Sequence, residues 1–260
     1  MELVGFMQDA KGKVIEYLPH SYQMKNLEQK RALFFNMYNF YVEKDLRFKK
    51  SEYLGSKNIM SVFTKKIDSL LDIYEKAKNT KRFEVDAASS KIIYAYQNKT
   101  PIIFSKKPKL QVAKLIKLIY NHDGCSLMMD LDDMFLNLVY ERIKKVNRGS
   151  RVVLGEKEII IYDPTPNSSP TVVIPFYKSI KKEEIREHEI VNEKIKLAIN
   201  HLKKGKIRQI FLVFPKSDGF SKHIELKFRN DIKLEDNEYR VKMIPYSFSF
   251  CIKNQKTKER

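Results

Sequence analysis

The spacing of apolar positions changes character near Gly149: before it most of the chain has helical spacing, and after it short β-branched runs take over. At the start, residues 3–7 and 13–18 read as two short strands around a polar turn with Asp9, Lys11 and Gly12, a hairpin that Pro19 ends. A helical stretch follows over about 24–50, rich in aromatics: Phe34, Phe35, Tyr38, Phe40 and Tyr41. The clearest helix carries Ile59, Val62, Phe63, Ile67, Leu70, Leu71 and Tyr74 on one face, with Lys65, Lys66, Asp68, Asp72 and Glu75 on the other. A third helix is predicted to start at Pro108, a favoured first helical position, and to carry Val112, Leu115, Ile116 and Ile119. It should stop at the turn Asn121-His122-Asp123-Gly124. The fourth, over 127–146, is apolar around most of its circumference and is expected in the middle of the molecule.

Beyond Gly149, residues 152–154, 158–162 and 171–177 predict consecutive strands in hairpins, separated by Gly155-Glu156-Lys157 and by the proline-bounded segment 164–170. A helix over 182–204 follows, with Ile185, Val191, Ile195, Ala198 and Leu202 turned to the core and Gly205 placed to cap it. A buried strand at 207–214 and a last strand near 239–252 complete the pattern. The fold class is α/β, a helical N-terminal region followed by a mixed sheet flanked by helices. The expected division is 1–107 for the hairpin and helical region, 108–252 for the α/β domain, and 253–260 for a frayed polar tail.

Charge narrows the function classes. The 260 residues hold 50 Lys+Arg against 32 Asp+Glu, a net charge of +18, more than solubility needs and enough to attract polyanions. Part of that surplus reflects a chain rich in Lys, Ile and Asn. The cations also cluster: Arg47-Phe48-Lys49-Lys50; Lys106-Lys107-Pro108-Lys109 near a predicted helix start; Arg142, Lys144 and Lys145 with Arg148 and Arg151; and Lys203-Lys204 with Lys206 and Arg208. Each can be a solvated helix end; together they point to a surface that follows phosphates, of DNA or else of RNA. Cys125 and Cys251 lie far apart outside any CxxC spacing, which argues against a disulfide framework or a cysteine zinc site. The five histidines show no ligand spacing. No secretory signal pattern and no bilayer-length apolar run occurs, so a cytoplasmic protein without a membrane partner is expected.

The second half carries one chemical candidate. Asp163 follows the strand 158–162, and Lys178 ends the strand 171–177. With the following helix and the strand Gln209-Ile210-Phe211-Leu212-Val213-Phe214-Pro215, this order resembles the PD-(D/E)xK fold of restriction endonucleases. The resemblance implies that Asp163 holds Mg²⁺ and Lys178 sits near the attacked phosphate. A narrower likeness is to the McrC family, the nuclease subunit of modification-dependent McrBC-type systems. Residues 129–139, Met-Asp-Leu-Asp-Asp-Met-Phe-Leu-Asn-Leu-Val, look like that family's Asp-Met-x-x-Leu-Phe-Glu helix. Ile174-Pro175-Phe176-Tyr177-Lys178 falls where the family has Asp-Ala-Lys-Tyr-Lys. The likeness spans about 108–250 and implies a ring-forming, nucleotide-driven motor as partner. Departures are plain: Leu136 stands in place of Glu, Asp163-Pro164 inverts the Pro-Asp order, and Phe176 replaces a carboxylate or, in the other register, the Lys. The other acidic cluster, Asp130, Asp132 and Asp133, reads as complementing a helix N-terminus. Two functions stay open: a Mg²⁺-dependent DNA endonuclease fold acting in restriction, and a non-enzymatic nucleic-acid-binding or scaffold subunit.

Overall fold

Strand β1 (Leu3–Gln8) organises the first half of the chain because it pairs on both edges. It meets β2 (Val14–Tyr17) across the expected hairpin, whose turn is held by Asp9 Oδ1 accepting the Lys11 and Lys13 N–H groups at 2.9 and 2.8 Å. Its other edge pairs antiparallel with β4 (Gly124–Asp130), which in turn pairs with the two-residue β3 (Tyr120–Asn121). The structure is a computed structural model and describes residues 2–9, 11–20, 26–79, 85–102, 106–121, 124–165, 168–180, 189–203, 207, 209–226 and 240–248.

Helices follow β2: α1 (Leu27–Tyr41), a 3-10 turn at Lys44–Leu46, the single-turn α2 (Lys50–Tyr53), α3 (Ile59–Asn79), α4 (Ala87–Gln97) and α5 (Gln111–Ile119). Of the aromatics in the first helical stretch, Phe34, Phe35 and Tyr38 are fully buried, whereas Tyr41 is exposed. Phe6 of β1 sits at 5.1 to 5.7 Å from the rings of Phe34, Phe35 and Phe63, and Phe35 stacks on Tyr53 at 4.2 Å. Each such pair adds about 1 kcal/mol beyond area burial, so the cluster ties α1, α2 and α3 to the sheet. The structure differs from the expected pattern in several places, and the helical stretch expected over about 24–50 ends as a helix at Tyr41. Residues 127–130 belong to β4 rather than to the following helix, because β1 offers them a backbone partner and Leu127 and Met129 are buried there. The third helix begins at Gln111 rather than Pro108. Helix α4 carries weak apolar periodicity; its start is set by Asp86, which accepts the Ser89 N–H at 3.0 Å.

The second half opens with α6 (Leu131–Val146). A sheet then follows in the order β5 (Arg151–Leu154), β6 (Ile159–Tyr162), β7 (Thr171–Pro175), β8 (Gln209–Pro215), β10 (Arg240–Tyr246), β9 (Ile224–Leu226). The meander β5–β6–β7 is antiparallel, whereas β7–β8 and β8–β10 are parallel, giving the mixed sheet that was expected. Helix α7 (Glu189–Lys203) puts Ala198 and Leu202 into a core with Val172, Ile174, Ile210, Leu212, Phe214, Val241 and Met243. Alternation along β7 turns Val173 to the opposite face, where α6 packs. Contacts gather the described residues into two units: one runs to Pro19 and then from Leu27 to Asp130; the other holds those of 20–26 and everything from Leu131 onward. The seam thus falls after Asp130, not at the expected 107/108. The cause is that α5 packs on α3 and α4 and β4 pairs with β1, so both stay with the first unit.

Candidate functional site

Asp163 and Lys178 do not come together. In the β6–β7 hairpin Ile161 pairs with Thr171 and Ile159 with Val173, so the end of β6 lies beside the beginning of β7. Asp163 follows the first of these ends, while Lys178 lies past Pro175 at the far end of β7. The strand from Thr171 to Pro175 alone spans roughly 13 Å. Asp163 is exposed, and its Oδ1 accepts both the backbone N–H and the hydroxyl of Thr165, at 2.8 and 2.7 Å. Those bonds from the Thr165 hydroxyl and N–H hold its carboxyl below the usual aspartate range. It therefore organises the Asp-Pro turn. A Mg²⁺ site needs several oxygen ligands, and among the described residues no group of three or more His, Cys, Asp or Glu is placed to hold a metal ion. The expected Asp163–Lys178 centre does not fit the ion, and no step is routed through one.

The far end of β7 has its own polar neighbourhood. Asp132, in the first turn of α6, accepts the Tyr177 N–H at 2.8 Å, and Tyr177 donates its hydroxyl to the His20 carbonyl at 2.9 Å. Asp132 thus links helix to strand, more than the dipole role its sequence position indicated. Lys194 of α7 lies 4.5 Å from the Phe176 ring centre, and burial pulls its ammonium below the usual lysine range while Asp132 works against that shift. Phe176 therefore serves as an aromatic cover for this cation.

The basic clusters divide between the units. In the second unit, Lys144, Lys145, Arg148 and Arg151 are all exposed along the end of α6 and the start of β5. Arg142 differs: it stacks at 4.9 Å on Tyr246 and donates to the Ser247 carbonyl at 3.3 Å, a packing role. Arg151 lies 5.6 Å from the Tyr162 ring and Lys144 5.5 Å from that of Tyr140. Lys203 is exposed in the last turn of α7, and Lys204 lies outside the described residues.

In the first unit, two clusters about sixty residues apart in sequence meet in one groove of about 690 Å³. Lys49 and Lys109 line it with Lys44, Arg47 and Lys66, while Asp45 is the one acidic residue of the lining, leaving it a net +4. The segments are pinned by their backbones, which leaves the cations on display. The Asn39 amide donates to the Phe48 carbonyl at 2.8 Å and accepts the Phe48 N–H at 2.9 Å. The Lys109 N–H reaches Asp86 Oδ2 at 3.1 Å and Ser89 Oγ at 3.2 Å, and Ser89 is fully buried. Glu43, beside this wall, binds Gln111 and Lys114 at 2.7 Å each, and those bonds hold its carboxyl below the usual glutamate range. Lys50, Lys106 and Lys107 are exposed and lie outside the lining. Sequence reasoning missed the floor, formed by Leu70, Ile73 and Ala77 of α3. The available signal was Ile73, an isoleucine three residues after Leu70 on the apolar stripe of α3, which the structure leaves 61% exposed.

No protein-family model matches the chain, and no curated protein matches it. Among solved structures it is similar to a chain from the tetradecameric assembly of Thermococcus gammatolerans McrB AAA+ hexamers with bound McrC. The TM-score is 0.58 at 10% identity, covering 95% of this chain and 78% of the other. That likeness shows a shared fold. Among the described residues, no helix is long and apolar enough to cross a membrane.

Proposed function

We propose that the chain is a McrC-like subunit of a DNA-processing assembly of the restriction and defence kind. In this reading it grips DNA through phosphates and works beside a ring-forming, nucleotide-driven motor. The observation that carries the reading is the fold likeness to a chain of the McrB–McrC assembly across 95% of the sequence. Charge supports the DNA part: the exposed Lys144, Lys145, Arg148 and Arg151 concentrate cations on one edge of the second unit. The fold alone does not carry catalysis. The separation of Asp163 from Lys178 favours a subunit that binds and positions DNA over one that cuts it with this pair.

Duplex binding followed by fluorescence anisotropy tests the DNA part. Neutralising three contacted phosphates contributes a slope of about −2.7 in log affinity against log salt. The triple variant Lys144→Ala, Lys145→Ala, Arg148→Ala should lose about that much of the wild-type slope. No binding at low salt, or an unchanged slope in the variant, removes the strip from the reading. For the motor, tagged chain isolated from its native cells should carry a ring-forming nucleoside triphosphatase; isolation without one removes that partner.

A further inference from the structure

The groove of the first unit has a composition that phosphates do not require. Its floor is aliphatic: Leu70, Ile73 and Ala77 along α3, facing Val112 at the start of α5. Ile73 is 61% exposed on a helix that otherwise sends its large apolar side chains inward. Leaving it in water forgoes apolar burial that a bound apolar side chain would recover. The aromatic residues of the lining are not available as a stacking platform, because Phe48 is 2% and Tyr74 9% exposed. Single-stranded nucleic acid gains much of its affinity from such stacking, so this floor suits it poorly.

The rim complements the floor with charge. Lys44, Arg47 and Lys49 line the groove from the segment after α1 and Lys109 from the segment before α5, all exposed and held on backbones fixed by the Asn39–Phe48 and Lys109–Asp86 hydrogen bonds. An apolar track lined by cations from two separate segments matches a helix that carries apolar side chains on one stripe and carboxylates beside it. The groove volume, about 690 Å³, accommodates a few large side chains of such a stripe.

We propose that this groove docks an acidic amphipathic helical segment of a partner protein, its apolar stripe on Leu70 and Ile73 and its carboxylates paired with Lys49 and Lys109. The assignment gives Lys49 and Lys109 to a protein partner, whereas Lys50, Lys106 and Lys107, outside the lining, remain with the DNA reading. It uses residues of the first unit only, so it stands or falls separately from the phosphate strip on α6.

A labelled synthetic peptide of about 16 residues, long enough to hold a helix, tests it: leucines at helical i, i+3, i+4, i+7 spacing and glutamates elsewhere. The comparison probes are an all-glutamate peptide and a single-stranded oligonucleotide of equal charge. The amphipathic peptide should bind the chain most tightly of the three. Ile73→Ser, at an exposed position, should weaken it about tenfold, the worth of one buried isoleucine. Lys109→Glu should weaken it about fivefold, with circular dichroism unchanged in both variants. Equal binding of the all-glutamate peptide, or no effect of Ile73→Ser, overturns the proposal. So does tighter oligonucleotide binding that Lys109→Glu abolishes, which would make the groove a nucleic-acid site. Failure of all three probes to bind also overturns it.

Discussion

Gly5 is the position where one added methyl group should cost most. It lies mid-strand in β1 at φ +146°, opposite Met128 of β4 and Tyr17 of β2. A Cβ built there would sit 1.8 Å from the Leu127 carbonyl oxygen and 2.9 Å from its carbon, backbone atoms that cannot swing aside. Relief requires β1 and β4 to part by more than an ångström. Two ladder hydrogen bonds weakened at about 1 kcal/mol each, with about 2 kcal/mol for a side chain forced into that backbone region, give a loss near 4 kcal/mol. The next residue, Phe6, is fully buried against three phenylalanine rings, so movement of β1 reaches the core directly. Gly55 supplies the control: its φ is +73° but a methyl group there would meet no atom within 4 Å, so Gly55→Ala should cost only about 1 kcal/mol of backbone strain. Urea unfolding followed by circular dichroism measures both as midpoint shifts at unchanged slope. A Gly5→Ala variant no less stable than Gly55→Ala would refute the close approach of β1 and β4.

Ile195 packs from α7 against the core around Val172, Ile174 and Leu212, so Ile195→Asp should cost about 3 kcal/mol through an unpaired charge at that face. A urea midpoint near that of the wild type would show that α7 is not part of this core. Tyr38 is fully buried, and desolvation pushes its hydroxyl well above the ordinary tyrosine range; burial likewise takes Tyr246 to about 12. A folded pKa raised above an unfolded value near 10 means that the stabilisation is complete below about pH 10 and is lost as pH rises toward the folded value, by up to ~1.4 kcal/mol per pH unit for each group. Urea midpoints at about pH 9 and pH 11 should fall steeply in the wild type and less in Tyr38→Phe; equal falls would sink the assignment.

How much of this was legible depends on whether local pattern or a distant partner decides. Helix α3 and the strands β5, β6 and β7 were readable because their own side chains carry the period, with Ile59, Phe63 and Ile67 on one helical face and Ile159, Val172 and Ile174 in strands rich in β-branched residues. Residues 124–130 were not, because an apolar run of that length satisfies either period. Only β1, more than a hundred residues earlier, makes it a strand. Short β9 carried too little apolar pattern to be seen, and the apolar residues of α4 are spread around the helix rather than gathered in a clear stripe.

The candidate site divides along the same line. The two basic segments that meet in the groove were visible as clusters, but their convergence depends on how α5 packs on α3, which no local spacing encodes. The Asp163–Lys178 pairing failed for a reason the topology itself contains. In any antiparallel hairpin, the residue that ends the first strand lies beside the beginning of the second. Residues that follow the two strands therefore always stand at opposite ends. Once 158–162 and 171–177 are read as a hairpin, Asp163 cannot neighbour Lys178, whatever the motif order along the chain. A carboxylate able to meet Lys178 would have to precede β6 or come from another element. Among the described residues, Glu158, immediately before β6, lies 3.7 Å from the His201 imidazole, and Asp132 holds the Tyr177 N–H. Asp132 is committed to that bond, so at this end of β7 it serves the packing of α6 against the segment that leaves the strand.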